Sequence, residues 1–278
     1  MIRLSQRLQR MADLVIPGGV TADIGTDHGH LPIWLFEHEI CPGVILTDIS
    51  EDSLSKAKGY AGAFQFGGAV SFRVGDGLAV LAPSEAETVV IAGMGGKLIR
   101  DIMAEDPAHT ATFRRFILQP RTASGSLRKY LLEQGFLFLH DDVVKEGHFL
   151  PEIITVETPA RTDAADGENG ADGDPVADRG AGADAGSGSC VPMDLAADSR
   201  QKLQTLEEDD IRLRVPPWIL EGEGPVDAYL QRRMQQERRV LEQIRRARNR
   251  NAAAETKLLK NIAWLQKLQK ELEGKNEI

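Results

Sequence analysis

With 278 residues, 42% of them hydrophobic and 27% charged, the chain is long enough for one full domain and a substantial appendage. It holds no run of about 18 apolar residues, which excludes a membrane-spanning helix. The formal net charge of −9 speaks against a nucleic-acid partner only until it is divided along the chain: 14 basic residues face 20 acidic ones in 1–158, 4 face 13 in 159–210, and 15 face 9 in 211–278, so the last part is basic by itself.

Residues 1–10 carry positive charge at intervals and no apolar stretch, so a secretory leader is not expected. Cys41 and Cys190 fall in unlike contexts and supply neither a disulfide framework nor a metal quartet, which points to a reducing cytoplasm. From there, short apolar runs alternate with amphipathic stretches. Strands are predicted at 21–25, 43–48, 70–74, 88–92 and 116–119, with helices at 31–39, 53–64, 98–104 and 127–134 between them. Strands separated by single helices imply right-handed crossovers and a Rossmann-like, doubly wound α/β sheet, mostly parallel. Residues 136–145 and 152–158 meet through Gly147 with no room for a helix, which predicts an antiparallel hairpin at one sheet edge.

Residues 159–198 hold 10 Ala, 7 Gly and 8 Asp, with hardly a large apolar side chain. Such a stretch buries too little area to offset its ordering entropy, so 159–210 is predicted to be a disordered acidic linker. It divides a sheet domain, 1–158, from a helical part, 211–278. In the latter, 226–247 places Leu230, Met234, Leu241 and Ile244 on one side, and 254–272 does the same with Leu258, Ile262, Leu265, Leu268 and Leu272. The polar run Arg248-Asn249-Arg250-Asn251 breaks them, predicting an α-helical coiled-coil hairpin whose apolar stripes face each other.

Ligands of open α/β sheets bind beyond the carboxyl ends of the strands, so the residues just after each strand carry the chemistry. The first such loop reads Asp23-Ile24-Gly25-Thr26-Asp27-His28-Gly29-His30, in which Gly25 permits a tight turn and close approach of backbone to ligand. Asp48, followed by Ile49, ends the second strand, where a carboxylate accepts both hydroxyls of a ribose. Gly75-Asp76-Gly77 ends the third, with an acid placed to meet an exocyclic amine of adenine. Gly93-Met94-Gly95-Gly96 ends the fourth as a wall poor in side chains.

Together these describe an adenosine-containing cofactor. A dinucleotide site wants G-x-G-x-x-G, and the first loop instead carries Asp27, which repels a diphosphate but suits a sulfonium and an ammonium. No P-loop is present. S-adenosyl-L-methionine is therefore expected, bound by Asp23, Gly25, Thr26, Asp48, Ile49, Asp76, Gly77, Gly93, Met94 and Gly95. His28 and His30 lack a third and fourth ligand nearby, so no metal is expected. Each loop has a plainer reading: Asp48 as a helix cap, Gly75 and Gly77 as a turn, Asp27 as an N-cap, Pro120 as the end of a strand.

The runs Asp23-Ile24-Gly25-Thr26-Asp27-His28-Gly29, Gly75-Asp76-Gly77-Leu78, Ile91-Ala92-Gly93-Met94-Gly95-Gly96 and Ile117-Leu118-Gln119-Pro120 resemble, in this order, the bacterial tRNA (adenine(22)-N1)-methyltransferase family. The resemblance covers 1–158 and extends loosely to 216–272, where that family carries a C-terminal coiled-coil domain. It implies methylation of N1 of an adenine in the D-arm region of tRNA. The family often has Tyr at the position of His30 and an uncharged residue at that of Arg121, and the acidic insert is an extra.

On that reading Asp27 is the first catalytic candidate, accepting a hydrogen bond from the adenine N6 amine and stabilising the charge that alkylation places on the ring. His28 is the second. Related N-methyltransferases clamp the base with a proline motif, here matched to Gln119-Pro120-Arg121, and His30 is a further candidate for contact with the substrate. Arg3, Arg7 and Arg10, spaced to share a face of an N-terminal helix, and the arm residues Arg245 and Arg246, within a run of eight arginines facing Lys257, Lys260, Lys267 and Lys270, are the phosphate-binding candidates. The expected state is a monomer or weak homodimer. Two other functions fit the residues: a methyltransferase acting on a small molecule or protein, and a non-catalytic coiled-coil interaction protein with a relic sheet domain.

Overall fold

The computed structural model describes residues 2–26, 28–61, 69–159, 197–247 and 251–276. Ser5 caps the first helix, α1 (Gln6–Asp13), its Oγ accepting from Leu8 N at 3.4 Å. Then follow β1 (Thr21–Ile24), α2 (His30–Glu37), β2 (Val44–Asp48), α3 (Glu51–Ala61), β3 (Val70–Val74), β4 (Thr88–Gly95), α4 (Gly96–Ala104), the short α5 (Pro107–Thr110), β5 (Arg115–Thr122), α6 (Ser124–Glu133), β6 (Leu137–Val143) and β7 (Glu152–Glu157). The seven strands form one sheet in the order β3-β2-β1-β4-β5-β7-β6. Strands β1 to β5 pair in parallel, and β7 runs antiparallel to both β5 and β6, as the hairpin reading predicts.

Continuous apolar runs are what a sheet covered on both faces requires, and their period of two divides them between two cores. Val89, Ile91, Phe116 and Leu118 face one layer, under α4 and α6. Val90 and Ile117, from the same strands, face the other, with α1, α2 and α3.

Beyond Thr158 the sequence reading needs correction. Most of the predicted acidic linker, 160–196, lies outside the described residues, but 197–210 is structured: α7 (Ala197–Gln204) packs against the sheet layer. Leu203 is buried in the same core as α6, Gln204 Nε2 donates to Leu132 O at 2.6 Å, and Lys129 Nζ donates to Leu206 O at 2.7 Å. Nor does 211–225 belong to a separate helical part. Leu213 of α8 (Ile211–Arg214) and Trp218 of the 3₁₀ turn Pro217–Glu221 join that core too. The next residues run along β6, where Val143 N donates to Glu223 O at 2.9 Å, so the chain itself covers the edge strand.

The arm proper is α9 (Val226–Arg246) and α10 (Ala252–Asn276), packed side by side in opposite directions. Leu230, Leu241, Leu258, Ile262, Leu265 and Leu268 are buried and Met234, Ile244 and Leu272 half-buried, which is the predicted seam. At its base the seam merges with Val143 of β6 and Leu150 of the β6–β7 connection.

A buried ionic joint locks this base. Arg128 on α6, fully buried, donates Nε and Nη2 to Asp141 (2.8 and 2.6 Å) and Nη2 also to Glu152 (2.7 Å). From the arm, Tyr229 Oη donates to Glu152 at 2.7 Å and Arg233 Nη2 at 2.5 Å, while Trp218 Nε1 donates to Asp141 at 2.9 Å. Burial opposes ionisation of Glu152, but Arg128 and Arg233, with the Tyr229 hydroxyl, outweigh it and hold the carboxyl at about 2.

Candidate active site

The carboxyl ends of β1, β2 and β3 are tied to one another through backbone. Gly25 N and Thr26 N both donate to Thr47 O (2.8 and 2.9 Å), and Gly75 N donates to Asp48 O at 3.0 Å. Gly25 stands at φ +75°, the left-handed region that favours glycine, and the Met94 methyl from β4 lies where a Cβ would stand. Four predicted cofactor segments therefore meet at one sheet end.

Asp23 is the acid at the centre. Burial pushes its carboxyl up to about 6, against a hydrogen bond from Thr26 and the charge of Arg7, with Asp48 adding to the rise. Asp48 Oδ1 accepts from Ser50 N at 2.7 Å in the turn before α3, and it is Ser50, whose Oγ accepts from Ser53 N at 3.4 Å, that caps the helix. The next side chain, Ile49, is 72% exposed, an apolar face beside that carboxylate. Gly77 takes φ +52°, which turns the chain after Asp76.

The β4–β5 end differs from expectation. Pro120 does not end its strand: β5 runs on to Thr122, with Pro120 paired to Met94 across an irregularity at Gly93. Gln119 is buried rather than presented to a base. Its Oε1 accepts from Gly93 N at 3.2 Å and from Arg7 Nη1 at 3.4 Å, and Nε2 donates to Pro120 O at 3.2 Å. It positions the Gly93 turn, whose backbone at φ +78° has open space where a side chain would be.

The N-terminal arginines also need correction. Arg3 precedes α1 and is exposed, whereas Arg7 and Arg10 turn inward. Arg7 Nε donates to Glu146 at 2.8 Å, and Arg10 pairs with Asp142 at 2.8 Å and Glu223 at 3.4 Å. Arg10 is thus a structural strut. On the arm, Arg245 binds Glu255 at 2.6 Å and Arg246 lies 3.6 Å from Glu242, about 18 Å along the helix from Arg233. His28 is exposed, its ring 5.4 Å from that of His30 at the start of α2. Asp27, Arg248, Arg250 and Cys190 lie outside the described residues. Cys41 is buried beside Thr21, and burial raises its thiol pKa, which makes it inert.

A cleft of about 720 Å³ opens from this end of the sheet toward the arm. Gly93, Gln119, Pro120 and Arg121 form one wall, the turn carrying Glu146 and Phe149 another, and Tyr229, Arg232 and Arg233 of α9 a third. Arg7, Arg121, Arg232 and Arg233 make its lining basic. The sequence reading missed Glu146, Phe149 and Glu152; the one available signal was an aromatic residue, Phe149, in a turn where polar residues are usual.

The strand order with its reversed seventh strand, and the acids and glycines gathered at the ends of β1 to β4, define a Rossmann-like methyltransferase domain, and residues 4–154 match a family model described as a methyltransferase domain. Over 166 residues the chain is 32% identical to the tRNA (adenine(22)-N(1))-methyltransferase of Bacillus subtilis (strain 168), spanning 60% of this chain and 70% of that protein. The B. subtilis M1A22 tRNA methyltransferase TrmK structure superimposes with a TM-score of 0.69 at 25% identity, covering 98% of this chain and 99% of the other. M. capricolum TrmK, solved with S-adenosyl-homocysteine, gives 0.65 at 18% identity, covering 97% and 98%. The chain belongs to the bacterial tRNA (adenine(22)-N1)-methyltransferase family. Among the described residues no helix is long and apolar enough to cross a membrane.

Proposed function

We propose that the chain transfers a methyl group from S-adenosyl-L-methionine to N1 of adenine 22 in cytoplasmic tRNA. The observation that carries this reading is the arginine-lined cleft running from the Gly93–Pro120 wall to the base of the arm. A methyltransferase for small molecules has no need of a basic cleft shared with a helical arm.

The residues at the strand ends fit the cofactor. Asp48 would hold the ribose through Oδ2, Ile49 would offer an apolar face to the adenine, and Asp76 would accept from its amine. Asp23, an acid whose proton affinity is raised by burial, is completed by a cationic ligand. When bound, the cofactor supplies an electrophilic methyl on a sulfonium.

Adenine N1 has an in-plane lone pair, so the protein needs to expose the base, aim N1 at the methyl and keep water away. The N1–carbon bond forms as the carbon–sulfur bond breaks, its electron pair passing to sulfur and the positive charge to the ring. Asp27, next in the chain after Thr26, accepts a hydrogen bond from N6 and favours the charged ring more than the neutral one. His28 orients the base. Gln119 holds the Gly93 backbone open beside it, while Arg121 and Arg232 hold phosphates.

Incubation of the full chain with labelled cofactor and bulk tRNA, followed by nucleoside analysis, is expected to yield N1-methyladenosine. Label in no nucleoside, or in another one, defeats this reading.

A further inference from the structure

Six large apolar side chains are exposed among the described residues: Ile49, Val74, Leu98, Phe149, Val240 and Leu259. Phe149 is the aromatic one, 69% exposed, and it stands in the wall of the basic cleft. Its backbone is held from several sides. Glu146 N donates to Phe149 O at 3.0 Å and Phe149 N to Glu146 O at 2.9 Å, closing the turn through Gly147 at φ +58°. The Glu146 carboxylate accepts from Ser5 Oγ and Arg7 Nε, both at 2.8 Å, and the Arg232 guanidinium donates to His148 O. The start of α1 and helix α9 thus both hold the turn. The next residue, Leu150, packs into the arm's core, yet the larger Phe149 ring is turned out to solvent.

A fixed aromatic ring among arginines matches one kind of occupant: a nucleobase, stacked on the ring while its phosphates meet the guanidiniums. We propose that Phe149 is the platform on which the target adenine stacks once it has left its helix. This rests on the tRNA reading above and adds a specificity-determining residue outside the strand-end loops. Stacking replaces the neighbouring bases that the extruded adenine loses, in the same cleft that Gly93 lines.

The test compares Phe149→Ala, Phe149→Leu and Phe149→Trp in the full chain, using methyl transfer to tRNA, calorimetric binding of S-adenosylmethionine and thermal unfolding. Phe149→Ala is expected to lower kcat/KM for tRNA by roughly one to two orders of magnitude. Cofactor affinity and melting temperature stay at wild-type values. Phe149→Leu, of similar apolar bulk, stays near the alanine variant, and Phe149→Trp recovers most of the activity. Full activity in Phe149→Ala, or rescue by leucine as good as by tryptophan, overturns the proposal. Both outcomes leave the tRNA reading standing if the wild-type chain makes N1-methyladenosine; if it does not, both readings fall.

Discussion

Asp23 and Glu152 are both carboxylates enclosed near the same end of the molecule, and their proton affinities move in opposite directions. Asp23, at the mouth formed by β1 and β2, is pushed up to about 6. Glu152, at the joint of sheet and arm, is held at about 2 by two guanidiniums and a hydroxyl. Burial costs each of them, and the difference lies in what the fold supplies in return. The joint places donors on both Glu152 oxygens, although Arg233 Nε finds no partner among the described residues. The mouth is incomplete, for Arg7 divides itself between Asp23, Glu146 and Gln119. Burial raises the Asp141 carboxyl within the joint as well, despite Arg128 beside it, so what sets Asp23 apart is its place among the glycine turns at the strand ends.

The largest effect that would break this contrast is expected at Arg128. Arg128→Met leaves Asp141 and one oxygen of Glu152 buried without their cation, and should cost about 3–5 kcal/mol in urea unfolding. Adding Asp141→Leu should recover part of the loss, since two apolar groups need no desolvation. A cost below about 1 kcal/mol for the single variant would show that the joint is not what holds the arm.

Titration separates the two acids next. With a folded pKa near 6 against 3.8 unfolded, Asp23 keeps its proton longer in the folded chain, so stability of the cofactor-free protein falls as pH rises from about 4 to about 6. The shift corresponds to about 3 kcal/mol at most, lessened by the solvent that reaches the carboxylate. Glu152 has the reverse sign: its contribution is present above pH 4.5 and lost as pH falls toward 2. A docked cation lowers the Asp23 pKa, so cofactor affinity should rise with pH up to about 6, by as much as tenfold per unit. Calorimetry at pH 5 in buffers of unlike ionisation heat should record proton release on binding, and Asp23→Asn should abolish it.

Between the two regions stands Gly96, where α4 leaves the site and abuts the start of α6, the helix that carries Arg128. A Cβ there would meet Ala123 O at 2.5 Å and Thr122 O at 2.8 Å, both backbone. Gly96→Ala should cost about 1–3 kcal/mol and reduce methyl transfer as well, because it pushes the Gly93–Gly95 wall. Melting temperature and activity measured together check this; loss of neither would mean the contact relaxes freely.

How far such details could be read from sequence depended on whether the cause was local. The strands of the sheet are apolar runs bounded by Gly and Asp, and each lies within a few residues of its predicted position. Helix α6 begins at Ser124 rather than near 127 because Ala123 takes a left-handed φ of +53°, which no alanine advertises. Helix α7 was hidden because the acidic composition around it masked Leu203 and Leu206. The spacing of Arg7 and Arg10 told which residues share a face of α1. It could not tell that this face meets Glu146 and Asp142, more than 130 residues away. Gln119 failed likewise: its place in an apolar strand is local information, while its bond to Gly93 N depends on the irregularity in the neighbouring strand β4.

The finest test of the contrast uses arginines that share one cleft. Arg233 is committed to Glu152 and stacks 5.1 Å from the Tyr229 ring, so Arg233→Ala should weaken both the fold and tRNA binding. Arg121 is exposed, with no ion-pair partner among the described residues, and Arg121→Ala should change stability by less than about 0.5 kcal/mol. Its effect should appear in the salt dependence of tRNA affinity. Losing one phosphate contact reduces the slope of log affinity against log salt by roughly one, and weakens binding alike for methylated and unmethylated tRNA. An unchanged slope in Arg121→Ala would mean that phosphates lie elsewhere, with the arm's outer residues Arg245 and Arg246 the next pair to replace.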